Sequence, residues 1–194
     1  MSKSFQLSLV LLAAMAFLLC SACSINVKKN DSGDDKKVDI DTPFGGIHVS
    51  KGADVRDTGL PVYPGAKPKA KDDSDDEKSA NVDISTSEFG LKVVALNYAS
   101  DDPPNKLIAY YKDQLKQFGS VLECHTQGRH GDYGHYSDKH DSDQLKCEGD
   151  NTGNTVELKV GTEHNQHLVA ITPEGKGSDF ALVYVRMRGK EGTI

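Results

Sequence analysis

Four histidines recur at every fifth position between two cysteines near the middle of the chain. They are His125, His130, His135 and His140, and aspartates are interspersed among them. Imidazole and carboxylate groups are good ligands for zinc, copper and nickel. A spacing of five fits neither one helix face nor one side of a strand, so this segment would have to fold around an ion. His164 and His167 are candidates for further ligands. The alternative is that a Gly- and Asp-rich loop is simply solvated.

A second chemical signal lies at the N-terminus, where Lys3 precedes the apolar run from Phe5 to Leu19. A helix of this length spans roughly 22 Å, which is shorter than the ~30 Å hydrocarbon core of a bilayer. Small residues follow the run at Ser21 and Ala22. The pattern therefore favours a cleavable signal peptide over a membrane span.

The residues around the predicted cleavage site are Leu18-Leu19-Cys20-Ser21-Ala22-Cys23-Ser24. This stretch resembles the lipobox of bacterial lipoproteins, although Cys20 stands where that motif usually has leucine. The resemblance implies diacylation of the Cys23 thiol, removal of residues 1–22 and attachment to a membrane. Ser24, rather than aspartate, after the cysteine resembles an outer-membrane sorting signal. An ordinary cleavage site that happens to precede cysteine is the alternative.

Cys124 and Cys147 flank the histidine segment and lie on two neighbouring predicted strands. In an exported protein such a pair predicts a structural disulfide. The closed loop of about 24 residues would stabilise the fold by ~3.4 kcal/mol. A reactive or redox-active pair is the alternative. It is disfavoured because the mature chain has no Cys-x-x-Cys motif and no evident helix N-terminus placed to lower a thiol pKa.

Composition and motifs argue against several classes of protein. The formal net charge is −6, with no Trp and 7% aromatic residues, and the pI is near 5.6. Binding to nucleic acid or anionic lipid headgroups is therefore disfavoured. The chain has no Gly-x-Ser-x-Gly, no His-Glu-x-x-His and no phosphate-binding glycine loop, so no enzyme class is predicted.

The most regular element is a helix that follows Asp101-Asp-Pro-Pro104. An aspartate can cap its free N–H groups, and proline suits its first turn. Leu107, Tyr111, Leu115 and Phe118 form one apolar stripe along it, and Gly119 is the predicted end. Strands are predicted at Val82–Thr86, Leu91–Tyr98, Val121–Cys124, Leu145–Glu148, Thr155–Val160, Leu168–Thr172 and Phe180–Met187.

Short Gly-, Asn- and Pro-containing gaps between most of these strands favour antiparallel hairpins. The predicted fold is α+β, with a single antiparallel sheet of about five to seven strands and one helix packed on one face. A flexible N-terminal tether precedes it. The predicted divisions are a signal peptide (1–22), a lipid-anchored linker (23–37), a small hairpin with an extended Pro-rich segment (38–66), a charged linker (67–79) and the α+β domain (80–190).

An internal repeat and a resemblance to other proteins bear on this division. Residues 38–49 are echoed by residues 82–93, which is consistent with two related hairpins or with a chance recurrence of strand–glycine–strand patterns. Four further features of the chain are Tyr63–Ala66, Ser100-Asp-Asp-Pro, a helix with paired tyrosines, and Phe118-Gly119 at its end. In these features the chain resembles a loose group of uncharacterised exported bacterial proteins. That resemblance covers about half of the mature chain and implies no activity.

Together these features predict an envelope lipoprotein with a non-enzymatic binding or structural role. Its expected partners are a membrane, through the lipid anchor, and another envelope protein, but not nucleic acid. We expect it to face the periplasm, on the outer membrane if the organism has one, and to need no cofactor. The alternative is a metal-binding or metal-sensing lipoprotein that uses residues 125–140 to hold zinc or copper. A small envelope enzyme is a third hypothesis.

Overall fold

A computed structural model of the protein describes residues 24–29, 36–50, 52–69, 79–127, 143–147 and 149–189. Its main element is one antiparallel sheet, which in these residues has ten strands. They are β1 (Ser24–Lys29), β2 (Lys36–Thr42), β3 (Gly45–Ser50), β4 (Lys67–Pro68), β5 (Ser79–Thr86), β6 (Phe89–Ser100), β7 (Leu122–Thr126), β8 (Thr155–Thr162), β9 (Asn165–Glu174) and β10 (Gly177–Gly189).

Nine of the strands follow the spatial order β1-β2-β3-β5-β6-β10-β9-β8-β7. The two-residue strand β4 pairs with β6 at Tyr98 and Ala99, beyond the end of β5. Strands β1, β2, β3, β5 and β6 form one meander and β7 to β10 form another. The two meanders meet along β6 and β10, which pair over twelve residues from Phe89 to Ser100.

The predicted helix is confirmed as α1 (Pro104–Leu115), which continues into a 3-10 turn at Lys116–Phe118. Leu107, Tyr111 and Leu115 are fully buried, as the stripe predicts, whereas its fourth member, Phe118, is exposed in the 3-10 turn. The predicted aspartate cap is not formed, because Pro103 occupies the N-cap position without a side-chain bond. Among the described residues, no helix has both the length and the apolar character needed to cross a bilayer.

The core lies between α1 and one face of the sheet. The helix leaves β6 and returns to β7 at the far edge, so it passes over β8 and β9. The extended segment 59–66 and the 3-10 turn Val55–Thr58 cover the neighbouring part of the same face. The buried sheet residues are Val94, Leu96, Tyr98, Val156, Leu158, Val160, Val169, Ile171, Phe180 and Leu182.

In the described part of the chain, the α+β class, the antiparallel sheet and the one packed helix are therefore as predicted, but the strand count of five to seven is too low. The structure differs because residues assigned to a linker and to a separate hairpin join the main sheet. Ser24–Lys29 forms β1, and β3 pairs directly with β5. One predicted strand is absent, since Leu145, Lys146 and Cys147 lie outside the strands and only Gln144 forms a bridge, to Thr162.

The sequence echo corresponds to two adjacent hairpins, β2–β3 and β5–β6, with the same turn. Thr42 Oγ1 donates to the carbonyl oxygen of Gly45 and accepts from the N–H of Phe44. Thr86 Oγ1 makes the equivalent bonds to Phe89 and Glu88. Both threonines therefore close their turns through their own side chains, as threonine does in such turns.

Candidate functional site

The predicted cysteine pair is brought together by the structure. Cys124 is fully buried on β7, and its sulfur lies 1.99 Å from that of Cys147. The two Cα atoms are 5.3 Å apart, within the usual range for a disulfide. The ends of the histidine segment are consequently held next to each other.

Only one of the four candidate metal ligands of that segment lies in the described residues. His125 is on β7, where its Nε2 atom is 3.5 Å from Glu123 Oε1. Glu123 also forms an ion pair with Lys112 of α1. His130, His135 and His140 lie outside the described residues. In the described part of the chain, no group of three or more His, Cys, Asp or Glu side chains could hold a metal ion.

The two further histidines considered as ligands have separate positions. His164 lies in the turn between β8 and β9, with Nε2 3.3 Å from Asp143 Oδ1. His167 faces the core, where its ring stacks on Phe118 at 3.9 Å between centroids. Its Nδ1–H donates to the carbonyl oxygen of Thr58 at 2.9 Å, and burial lowers its pKa. His167 therefore packs against Phe118 and holds the backbone of Thr58.

The tyrosines of the extended segment and of α1 form one packing cluster. Tyr63 stacks edge-on against Tyr110 at 5.2 Å, and its hydroxyl donates to Asp102 Oδ2 at 2.9 Å. The hydroxyl of Tyr111 accepts from the N–H of Tyr63 and donates to the carbonyl oxygen of Pro61. Burial raises the pKa of Tyr111, which keeps this hydroxyl protonated. The cluster fixes the extended segment to α1, which is a structural role.

A polar patch that the sequence analysis missed lies on the outer strands, on the same side of the sheet as α1. His48 Nδ1 is 3.0 Å from Asp39 Oδ1, and its Nε2 is 3.7 Å from Asp41 Oδ1. All three side chains are partly or largely exposed. The alternation of polar and apolar residues along β2 and β3 could have indicated this patch, because alternate residues share a face.

The other side of the sheet carries a continuous apolar surface, which we call the open face. Directly paired residues of antiparallel strands lie on the same side, so the strand register defines three cross-strand rows. They are Ile47–Ile84–Leu91–Met187, Val49–Val82–Val93–Val185, and Ala80–Ala95–Val183–Leu168. Ile47 is exposed and the others are only partly buried, and none belongs to the core cluster.

Charged residues border the open face near β7, β8 and the start of β10, and they are already paired within the chain. Lys159 Nζ is 3.0 Å from Glu157 Oε2, and Lys69 Nζ is 2.6 Å from Asp179 Oδ2. Glu123 and His125 lie on the core side of β7, so Cys124 between them lies on the other side. The Cys124–Cys147 disulfide therefore lies at this border of the open face. The open face therefore combines aliphatic side chains with a border of matched charges.

The sequence did not identify the open face because β6 is apolar on both sides. The run from Leu91 to Leu96 predicts a strand but does not indicate which side the helix covers. The contribution of Ile47 and Val49 was missed because their hairpin was assigned to a separate segment. Cys23, the predicted lipidation site, lies outside the described residues and directly precedes β1.

Comparison with known proteins adds no relative: no family model, no curated protein and no solved structure matches this chain.

Proposed function

We propose that this protein is a lipid-anchored envelope protein that acts by binding another envelope component through its open face. Acylation of Cys23 would attach the domain to a membrane on its periplasmic side, and to the outer membrane where one exists. The single observation that carries the binding role is the apolar side of the sheet opposite α1, which in the described residues is formed by the three rows above and lies outside the core cluster.

The size of the open face supports this role. Its twelve side chains each occupy about 4.8 Å by 6.8 Å of the sheet surface, which gives a footprint of roughly 400 Å². Contiguous apolar patches of several hundred Å² on monomeric proteins are often interaction sites, whereas scattered apolar residues are ordinary. The matched charge pairs at its border, Lys159–Glu157 and Lys69–Asp179, leave an aliphatic surface suited to an apolar partner.

The buried titratable side chains support binding over catalysis. Tyr111 and His167 both combine burial with a shifted pKa. Such groups are candidates for acid–base chemistry when they line an accessible site. Here the Tyr111 hydroxyl and the His167 Nδ1–H both bond to the backbone of residues 58–63, so these groups hold that segment.

Site-specific photocrosslinking in cells tests the binding surface. A photoreactive phenylalanine analogue at Val93 or Val185 should form adducts with an envelope component. The matched control places the same analogue at Arg186, the next residue of β10, whose side chain points to the opposite side of the sheet. Equal adducts from both sides, or none from the open face, would contradict the proposed binding surface.

Mass spectrometry of the mature N-terminus tests the anchor independently. We expect diacylglycerol on the Cys23 thiol, and we expect Cys23→Ala to release or mislocalise the protein. A mature chain that begins elsewhere and carries no lipid would refute the anchor while leaving the open face to be tested by crosslinking.

Metal binding by the histidine segment is the second candidate function, and one observation favours it. The Cys124 and Cys147 Cα atoms lie 5.3 Å apart, so a disulfide would confine the segment that contains His130, His135 and His140. Confinement lowers the entropic cost of gathering ligands around an ion. Because ligands must be deprotonated, binding should weaken as pH falls through the histidine pKa near ~6.5.

Calorimetry on the tag-free protein with zinc and with copper tests this candidate. We expect weak binding that is lost when His130, His135 and His140 are replaced together by Ala. Affinity tighter than about 1 μM in the unaltered protein would raise metal binding above the envelope-partner role. Equal heats for the two proteins would leave the histidine segment as a solvated loop.

A further inference from the structure

One end of the sheet gathers several features that the open face alone does not explain. We call it the hairpin end, and it comprises the start of β1, the β2–β3 turn, the β5–β6 turn and the end of β10. A single cross-strand row borders it, formed by Ser24, Asp41, Gly46, Ser85, Gly90 and Arg188. Ser24 directly follows Cys23, and consecutive Cα atoms are only ~3.8 Å apart. The predicted acylation site therefore adjoins the hairpin end.

Exposed apolar side chains concentrate at this same end. Phe44 in the β2–β3 turn is 83% exposed, and Phe89 at the β5–β6 turn is 42% exposed. Ile47, two residues beyond the first turn, is 39% exposed. The remaining exposed large apolar residue in the described chain is Phe118, which stacks on His167 far from these turns.

Side-chain hydrogen bonds and a close backbone contact fix the positions of the two turns. Each is closed by a threonine hydroxyl, from Thr42 and Thr86. They also touch, since a Cβ atom on Gly45 would lie 2.2 Å from the carbonyl oxygen of Ser85. Gly45 has φ of +152°, so glycine allows both the backbone conformation and the close approach. Phe44 is thus presented to solvent from an ordered pair of hairpins.

We propose that the hairpin end is a membrane-contacting surface, in which Phe44 and Phe89 enter the lipid interface beside the acylated Cys23. This inference rests on the proposed lipid anchor. Phenylalanine is favoured on the buried side of interfacial protein segments. Because β1 begins at the residue after Cys23, acyl chains on that cysteine would bring the hairpin end to the headgroups.

Both turns lie within a few strand spacings of the start of β1. The β5–β6 turn lies about four strand spacings from β1, or ~19 Å, and the β2–β3 turn is nearer. Charges of both signs accompany the aromatic residues, with Asp41, Glu88 and Arg188 all exposed. Such a mixture fits a zwitterionic lipid surface better than a strongly anionic one.

The absence of Trp from the sequence permits a direct test with the full acylated protein in phosphatidylcholine vesicles. Phe44→Trp and Phe89→Trp each introduce a single indole reporter at the hairpin end. Lys176→Trp is the matched control, because this exposed residue lies in the β9–β10 turn at the opposite end of the sheet. Unfolding curves should establish that each variant retains the fold.

Brominated acyl chains should quench the fluorescence of both hairpin-end variants at least about twofold more than that of Lys176→Trp. Equal quenching at the two ends, or no quenching at the hairpin end, would overturn the inference. Mass spectrometry of the same preparations separates this result from the anchor. If Cys23 is acylated and the hairpin end is not quenched, the anchor stands and the inference fails.

If Cys23 carries no lipid, the anchor fails, and the same variants are then mixed with preformed vesicles. Quenching confined to Phe44→Trp and Phe89→Trp would support a membrane-contacting hairpin end without the acyl chains. No quenching under these conditions would overturn it.

Discussion

At the scale of single residues, Tyr111 links the helix to the extended segment that covers the core. Its side chain is fully buried. Its hydroxyl serves two backbone groups, accepting from the Tyr63 N–H at 3.0 Å and donating to the Pro61 carbonyl at 3.3 Å. Both groups belong to a segment without regular secondary structure, so they have no sheet partner to replace this side chain.

Replacing Tyr111 by Phe should lower the free energy of unfolding by about 1–3 kcal/mol, because two partly buried backbone groups lose their partner. The matched control is Tyr110→Phe, since Tyr110 contacts Tyr63 through its ring at 5.2 Å. We expect the control to change stability by less than about 0.5 kcal/mol. Urea denaturation measures both, and similar losses would contradict the assigned role of the Tyr111 hydroxyl.

His167 gives the protein a predicted dependence of stability on pH. Burial lowers the pKa of His167 in the folded state, against the smaller opposite effect of its bond to Thr58. The unfolded chain takes up a proton as pH falls through about 6.5, whereas the folded chain resists it. Stability should therefore be fully present above that pH and decrease as pH falls towards the folded-state pKa.

His167→Gln removes the titrating group and retains a donor for the Thr58 carbonyl. Its free energy of unfolding should change less than that of the unaltered protein between pH 7.5 and pH 5. The exposed histidines His48, His125 and His164 are present in both proteins, so their contributions cancel in the comparison. Parallel pH profiles would show that His167 does not cause the acid sensitivity.

At the scale of elements, the helix was predictable because its signals are local. A period of about 3.6 residues places Leu107, Tyr111 and Leu115 on one side, and Gly119 ends the 3-10 turn that follows with φ of +138°. Its first turn was not predictable in the same way. Asp102 bonds to Lys106 at 2.6 Å and to Tyr63 instead of capping the helix, and Tyr63 is distant in sequence.

The open face was not predictable because both sides of the central strands are apolar. Leu182 and Val183 are neighbours on β10, yet Leu182 lies in the core cluster and Val183 lies on the open face. A pattern of period two indicates sides only when one side is polar. Deciding which side the helix covers requires the crossover from β6 to the distant strand β7.

The two residues give a matched test of whether the open face is uncovered. Leu182→Ala should cost about 2–5 kcal/mol, since it leaves a cavity in a fully buried site. Val183→Ala should cost less than about 1 kcal/mol, because the valine side chain is only partly buried. Chemical denaturation of both variants provides the comparison. Comparable costs would mean that another part of the chain covers this face.

At the scale of the whole molecule, the predicted division near residue 80 does not coincide with a boundary of the fold. Strand β3 pairs with β5 along six residues, so the sheet continues across it. The segment before it also enters the core, where Thr58 and Leu60 are buried. Composition singles out the charged stretch 67–79, but it carries no information about the contacts of its ends, where Lys67–Pro68 forms β4 and Ser79 begins β5.

Two truncated chains test whether residue 80 begins an independent domain or whether the segment before it is part of the same fold. A chain that begins at Gly52 loses β1 to β3 but keeps Thr58, Leu60 and the residues that bond to Tyr111 and His167. It should unfold cooperatively and retain most of the stability of the full chain. A chain that begins at Ala80 loses that segment, which removes the burial of Leu60, worth ~1.5–3 kcal/mol.

The shorter chain also leaves the polar atoms of Tyr111 and His167 without their backbone partners, at about 1–3 kcal/mol for each buried group. Together these losses are comparable to the lower part of the stability range of a typical domain, about 5–15 kcal/mol. We therefore expect the chain from Ala80 to be unfolded or only marginally stable in urea titrations monitored by circular dichroism. If instead it unfolds at the same urea concentration as the chain from Gly52, the segment 52–66 is dispensable and residue 80 begins an independent domain.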